Sequence, residues 1–222
     1  MVLLLQSCGG DRNVEPLPGR TMPVAYAEGD TLELDPYPPN LSEWMAYYSE
    51  QFPGFVNGQF RCSGGTLHMD SLRIAESPVP GPQFRPYLSF NPDSSAYIDF
   101  LSYNTDLAQD TPMKSLAQGT GDPDQEVVLG EPATGKRWQL MYNGPGSSVE
   151  AADWLGKDEF LLALVRTDEK KGDWTPEVYL FSRKDSTFTN FTWSRSISTD
   201  SLTRMGENYI DHWFRHRMVR TK

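Results

Sequence analysis

Short runs of alternating apolar and polar residues, separated by turn residues, dominate the chain after residue 60. The run from Thr66 to Ile74 (TLHMDSLRI) alternates apolar and polar residues, which predicts one strand. Turn-forming residues such as those at 91–95 (NPDSS) separate the later runs. Three hairpins are predicted: EVVL with KRWQLMYN, SVEAADWL with EFLLALVRT, and PEVYLFSR with TFTNFTWS. YLSF and AYIDFLSYN are two further predicted strands, separated by the turn at 91–95.

Two segments have helical spacing instead. In LSEWMAYYSEQF, the residues predicted to share one face are Leu41, Trp44, Met45 and Tyr48. Ser42 is the predicted N-cap, and Pro53-Gly54 ends the helix. From Ser201 to Val219 a second apolar stripe consists of Leu202, Met205, Tyr209, Ile210, Trp213 and Phe214.

The pattern as a whole predicts a mostly-β fold. Strands recur at short intervals with tight turns between them, and strand–helix alternation is missing from the pattern. We therefore expect a single antiparallel open sheet or a sandwich of hairpins. A short N-terminal helix and a C-terminal amphipathic helix would brace it.

The first ten residues, MVLLLQSCGG, contain a recognisable export pattern. Leu5-Gln6-Ser7-Cys8 resembles the lipobox of bacterial lipoproteins: an apolar residue, a tolerant position, a small residue and then cysteine. The resemblance implies that Cys8 begins the mature protein and carries a diacylglyceryl thioether and fatty acyl chains such as palmitate. Residues 1–7 are then the remnant of a signal segment, although none of them is charged.

Proline, glycine and acidic residues dominate the next part of the chain. Residues 8–40 show no sustained period, which predicts a lipidated flexible tether with one short strand near Thr31 to Leu34. Residues 41–222 form the predicted single mostly-β domain. After the first residues no apolar run approaches the roughly 20 residues of a membrane span, so the bilayer contact is expected through the acylated Cys8.

The stretch from Tyr87 to Leu164 carries a second resemblance. YLSFNPDSSAYIDFLSYN, EVVLGEPATGKRWQL and VEAADWLGKDEFLLAL are similar to propeller-blade sequences of exported bacterial proteins. They also resemble a group of small exported lipoproteins of unassigned activity. The chain is too short for a closed propeller at ~40–50 residues per blade, so the resemblance implies only consecutive antiparallel hairpins.

Net charge and cysteine content limit the classes of binding partner and the disulfide bonds that we expect. A net charge of −10 disfavours nucleic acid and anionic headgroups, because both need basic surfaces. With Cys8 acylated, Cys62 is left without a disulfide partner, and we interpret it as a small buried apolar side chain. The predicted location is the bacterial cell envelope, on the periplasmic or outer-surface side of a membrane.

Candidate chemistry is sparse, and neither a metal, a cofactor nor a catalytic residue is predicted. His212 and His216 have the i, i+4 spacing of a metal pair, but zinc needs three or four ligands. The acidic stretch 122–126 (DPDQE) departs from the EF-hand order. Cys62 and Ser63 precede His68 without the Gly-x-Ser-x-Gly elbow of a serine hydrolase, and Walker and dinucleotide motifs are missing.

The strand aromatics carry the remaining functional hypothesis. Trp138 and Trp154 are expected in the core, whereas Trp174 is expected to be exposed and is the candidate for ligand binding. The sequence thus favours a non-enzymatic binding or scaffold module for a protein, peptide or glycan. The alternative is an envelope glycan hydrolase with carboxylates that the sequence does not identify. A third possibility is strand addition at an open sheet edge.

Overall fold

The computed structural model describes residues 25–34, 36–52, 54–55, 59–69, 72–103, 124–168, 170–198, 209–210 and 212–213. Within these residues lie a helix α1 (Pro39–Gln51), a 3₁₀ helix (Pro82–Tyr87) and ten strands. The strands are β1 (Phe60–His68), β2 (Arg73–Ile74), β3 (Ser89–Phe90), β4 (Tyr97–Asp99), β5 (Gln125–Glu131), β6 (Lys136–Asn143), β7 (Ser147–Trp154), β8 (Glu159–Thr167), β9 (Trp174–Ser182) and β10 (Thr187–Trp193).

The strands form two antiparallel sheets, which confirms the predicted mostly-β class. Sheet A has the order β1-β10-β9-β8-β7, and sheet B has the order β2-β6-β5-β4-β3. Apolar residues from both sheets share one core cluster, so the architecture has two packed sheets rather than one open sheet. All three predicted hairpins are present, and the two strands predicted on either side of the turn at 91–95 also pair, as β3 and β4.

The predicted strand from Thr66 to Ile74 is wrong, because the chain changes sheets within it. β1 bulges between Cys62 and Thr66, where two glycines adopt left-handed conformations, and it ends at His68. The Met69 N–H then bonds to the Ser186 carbonyl at 2.8 Å, and β2 begins in the other sheet. The apolar alternation shifts by one position at this point, because Leu67 and Met69 precede the polar pair Asp70-Ser71 and Leu72 and Ile74 follow it.

Sheet A is the middle of three layers. Along β8, Leu161, Ala163 and Val165 face α1 in one core cluster. The alternate residues Phe160, Leu162 and Leu164 face sheet B in the other cluster. Both faces of this sheet are therefore covered, which explains why β8 reads as a continuous apolar run.

The apolar face predicted for α1 is confirmed, but its predicted cap is wrong. The helix begins at Pro39, so Ser42 lies in its first turn and donates to the Tyr37 carbonyl at 2.9 Å. The carboxylate of Asp153 on β7 supplies the cap. It accepts hydrogen bonds from the Leu41 backbone N–H at 2.6 Å and from the side-chain amide of Asn40 at 2.9 Å. A partner 112 residues away therefore fixes the start of the helix.

The folded core begins before the predicted start of the domain at residue 41. Tyr26, Leu32 and Leu34 are buried in the core, and Thr31 forms an isolated bridge with Arg61, so packing begins before residue 41. Of the predicted C-terminal helix over 201–219, residues 209–210 and 212–213 are described and helical. Its remaining residues, and residues 1–24 with Cys8, lie outside the described part.

Candidate functional site

A pinned segment beside β2 shapes one edge of sheet B. Buried Glu126 on β5 accepts the N–H groups of Glu76 and Ser77 at 3.3 and 3.2 Å. Buried Arg137 on β6 donates to the carbonyls of Ser77 and Pro78, the latter at 2.7 Å. We call residues 75–80 the strap. Its polar backbone is held inward, so its apolar side chains are free to face outward.

An open cleft lies between the strap and β6. We call it the edge cleft; its volume is about 590 Å³. Ile74 and Val79 line it and are 80% and 68% exposed, the two highest values among the large exposed apolar side chains of the described residues. Its other lining residues include Pro78, Lys136, Arg137 and Trp138.

A second cleft opens between the two sheets. This inter-sheet cleft has a volume of about 320 Å³ and reaches Phe160, which is fully buried. Its polar lining includes Glu131 and Arg183, whose side chains form an ion pair at 3.0 Å. Apolar walls with a few polar groups are typical of ligand sites. Its apolar lining residues are Met69, Leu72, Leu129, Trp138, Leu140 and Phe160.

Trp138 joins the two clefts into one surface. It lines both of them, and its cross-strand partner on β2 is Ile74. We refer to the two clefts together as the edge surface. Sequence analysis placed Trp138 in the core, and the side chain is partly buried against the core shared by the two sheets.

A third, smaller cleft lies beside Glu150. It measures about 50 Å³, which suits one or two water molecules rather than a larger ligand. The Glu150 carboxylate accepts the Trp44 indole N–H and the Tyr48 hydroxyl, both at 2.8 Å. Burial, followed by the charge of Glu150, raises the pKa of Tyr48 well above its ordinary value of 10, so the phenol stays protonated.

The buried carboxylates of the described residues act within the fold. Asp153 caps α1, Glu126 holds the strap, and Asp99 pairs with Arg137 at 3.6 Å. Of the three clefts, the inter-sheet cleft is lined by one carboxylate, Glu131, and the small cleft beside Glu150 by that carboxylate alone. A glycosidase needs two carboxyl groups across one site, and none of these three clefts provides a pair.

Trp174, predicted to be exposed, is partly buried and packs against the core beneath α1. Its N–H bonds to the Ile197 carbonyl at 2.8 Å and its carbonyl accepts the Ile197 N–H at 2.7 Å. Trp154 is also partly buried, and its indole donates to the Ser89 carbonyl at 2.9 Å. Neither tryptophan lines the edge surface.

The other candidate residues fall into separate places. Cys62 is buried with a free thiol, as predicted, and burial raises its pKa. The His212 ring lies 4.8 Å from the Tyr47 ring, and His216 lies outside the described residues. The described part contains no group of three His, Cys, Asp or Glu side chains that could hold a metal ion.

The sequence did not reveal the edge surface. Ile74 ends the run that predicts one strand, and Val79 lies in the proline-rich sequence that follows it, so neither position indicates a binding surface. Their exposure results from where sheet B ends, which a local pattern does not encode. Comparison of the chain with family models, curated proteins and solved structures gives no match. Among the described residues, no helix combines the length and apolarity needed to cross a membrane.

Proposed function

We propose that this chain is a lipid-anchored, non-enzymatic binding module of the bacterial envelope, and that it binds an apolar segment of a partner protein at the edge surface. The observation that carries the proposal is the paired exposure of Ile74 and Val79 beside the edge cleft. Contiguous exposed apolar side chains with a polar surround mark interaction sites more often than single ones do.

The arrangement of the edge surface supports a protein segment over a glycan. The described lining of the edge cleft is mainly aliphatic and offers one tryptophan, which Arg137 and Lys136 border. Sugar rings stack on open aromatic faces, whereas aliphatic side chains fill aliphatic clefts. Fully burying Ile74 and Val79 would contribute roughly 1.5–3 kcal/mol each, before the cost of association. Binding of modest strength is therefore expected.

The lipid anchor is the second part of the proposal, and Leu5-Gln6-Ser7-Cys8 supports it. The full-length chain with Cys8→Ser should lose the mass of its acyl chains and move from the membrane to the soluble fraction. Intact-protein mass spectrometry and fractionation measure both. A wild-type chain of unmodified mass at Cys8 would contradict the anchor and leave the edge surface unaffected.

Photo-crosslinking tests the binding site directly. A benzophenone amino acid placed at Val79 in the full chain should give a discrete crosslinked product in intact cells. The matched control is the same substitution at Leu67, which is 49% exposed and does not line either cleft. Equal products at both positions, or none at Val79, would contradict binding at the edge surface.

A further inference from the structure

The edges of the two sheets differ in whether the outward backbone groups of the edge strand have hydrogen-bond partners. At the β1 edge of sheet A they do. Residues 26–32 run along this strand and take up its outward backbone groups. Cys62 N–H bonds to the Asp30 carbonyl at 2.7 Å, and Leu32 N–H bonds to the Phe60 carbonyl at 3.1 Å. A covered edge cannot accept another strand without losing these bonds.

The β7 edge of sheet A is covered by side-chain amides. Gln125 accepts the Val149 N–H at 2.7 Å and donates to the Val149 carbonyl at 2.9 Å. One glutamine therefore provides both hydrogen bonds that a neighbouring strand would give at that position. The Asn40 amide donates to the Ala152 carbonyl at 3.0 Å and covers the same edge further along.

The β3 edge of sheet B is two residues long. The Asn91 N–H bonds to the Ala96 carbonyl at 3.0 Å, so the outward backbone groups of β3 are those of Phe90, and they have no hydrogen-bond partner among the described residues. The opposite edge, at β2, differs in its exposed apolar surroundings. The Ala75 N–H bonds to the Arg137 carbonyl at 3.1 Å, so residue 75 points its backbone groups toward β6. Because these groups alternate in direction along an antiparallel strand, the Ile74 N–H and carbonyl point away from β6.

The Ile74 backbone therefore faces the exposed side of sheet B. Within the described part of the chain, neither this N–H nor this carbonyl has a hydrogen-bond partner. β2 also covers only a short part of β6, since Arg73 and Ile74 pair with Gln139 and Trp138 while β6 continues to Asn143. Both edges of sheet A are thus closed by specific contacts, and of the two edges of sheet B this one lies beside an apolar cleft.

We propose that the partner segment is an extended strand that adds to sheet B at β2, and this inference rests on the proposed function. Its backbone would pair with Ile74, and its apolar side chains, at alternate positions, would cover Ile74 and Val79. The charged side chains on or beside the cleft are Arg73, Glu76, Lys136 and Arg137; because Arg137 pairs with Asp99, the other three leave a local balance of +1 in a chain of −10. A segment carrying an acidic residue therefore fits this edge better than a basic one.

Two substitutions at Ile74, one to alanine and one to proline, separate strand addition from side-chain docking. The probe is the tightest binder from a synthetic library of ten-residue peptides that alternate Val, Ile, Leu or Phe with Glu, Thr or Ser. Ile74→Ala removes the side chain and keeps the outward N–H, whereas Ile74→Pro removes both, without breaking a bond to β6. Strand addition predicts about two- to twelvefold weaker binding for Ile74→Pro than for Ile74→Ala, by fluorescence anisotropy.

The peptide backbone provides an independent readout that does not depend on the variant's folding. N-methylation of the alternate amides that would face β2 should weaken binding to the wild-type chain by at least about tenfold. N-methylation of the other amides should have little effect. Both Ile74 variants should keep the wild-type circular dichroism spectrum.

Three results would overturn strand addition. One is equal binding by Ile74→Pro and Ile74→Ala, or by the two N-methylated peptides. Another is a library that yields no binder. The third is a wild-type dimer, measured by light scattering, that becomes a monomer with Ile74→Pro. This result would assign the edge to a second copy of the chain. In the first two cases a crosslink at Val79 would still uphold the proposed function, so the two failures are distinguishable.

Discussion

The cap of α1 leads to a prediction whose magnitude follows from the contacts. Asp153→Ala removes a 2.6 Å hydrogen bond to the Leu41 N–H and a 2.9 Å bond to the Asn40 amide. Hydrogen bonds to a charged group contribute about 1.5–3 kcal/mol, and loss of an N-cap costs about 0.5–2 kcal/mol. Because the two bonds share one carboxylate, we expect a loss of about 2–3 kcal/mol in the free energy of unfolding.

Ser42→Ala is the matched control, because it lies in the first turn of the same helix and local sequence rules nominate it as the cap. Ser42 is exposed and donates one bond to the Tyr37 carbonyl, so we expect a change within about 0.5 kcal/mol. Asp153→Asn should fall between the two variants, because an amide oxygen can still accept the Leu41 N–H without the charge that favours a helix N-terminus.

Urea unfolding of the full chain, followed by tryptophan fluorescence and circular dichroism, measures these differences. The slope of the unfolding free energy against urea should stay constant, so that a shift in midpoint reports stability alone. Capping by Asp153 is contradicted if Ser42→Ala costs as much as Asp153→Ala, since the helix would then be capped locally. It is also refuted if Asp153→Ala leaves the midpoint unchanged.

Three further predictions concern other sites. Burial first, and then nearby Asp185 and Asp158, raise the pKa of Glu159 above its ordinary value of 4.5. The folded state therefore binds this proton more tightly than the unfolded state does, and the stability that the proton provides is lost as pH rises through the folded-state pKa. Glu159→Gln should therefore raise Tm at pH 7 but not at pH 3.5. Gly130→Ala would drive a methyl group into the Tyr97 ring and should cost about 1–3 kcal/mol in urea unfolding, with a smaller loss when Tyr97 is Leu. Iodoacetamide should alkylate Cys62 on the order of a hundredfold more slowly in the native chain than in urea, and equal rates would show that the thiol is accessible.

Local turn chemistry explains which parts of the fold were predictable. The β5–β6 turn at 132–135 ends in Gly135 with φ of 66°, and the β9–β10 turn ends in Ser186 with φ of 51°. Turns of this kind carry their own residue preferences, so their hairpins follow from sequence. The sheet change between His68 and Arg73 has only a weak signal, the consecutive polar residues Asp70-Ser71, and apolar alternation is the same whichever sheet a strand joins.

The candidate site was beyond local reasoning for a related reason. Exposure of Ile74 depends on where sheet B ends, and burial of Trp174 depends on its pairing with Ile197. Likewise the cap of α1 comes from Asp153, more than a hundred residues away, which no window of sequence around the helix contains. Tertiary contacts, rather than residue preferences, decided each of these cases.

The middle position of sheet A has a consequence for how the chain tolerates mutation. In β8 every residue from Phe160 to Val165 is buried, since alternate side chains enter two different cores. In β10 of the same sheet, burial alternates from Thr187 to Trp193. Among diverged or randomised sequences, β8 should therefore vary least, with every position from Phe160 to Val165 remaining apolar. β10 should accept polar replacements at every second position, so two strands of one sheet would evolve at different rates.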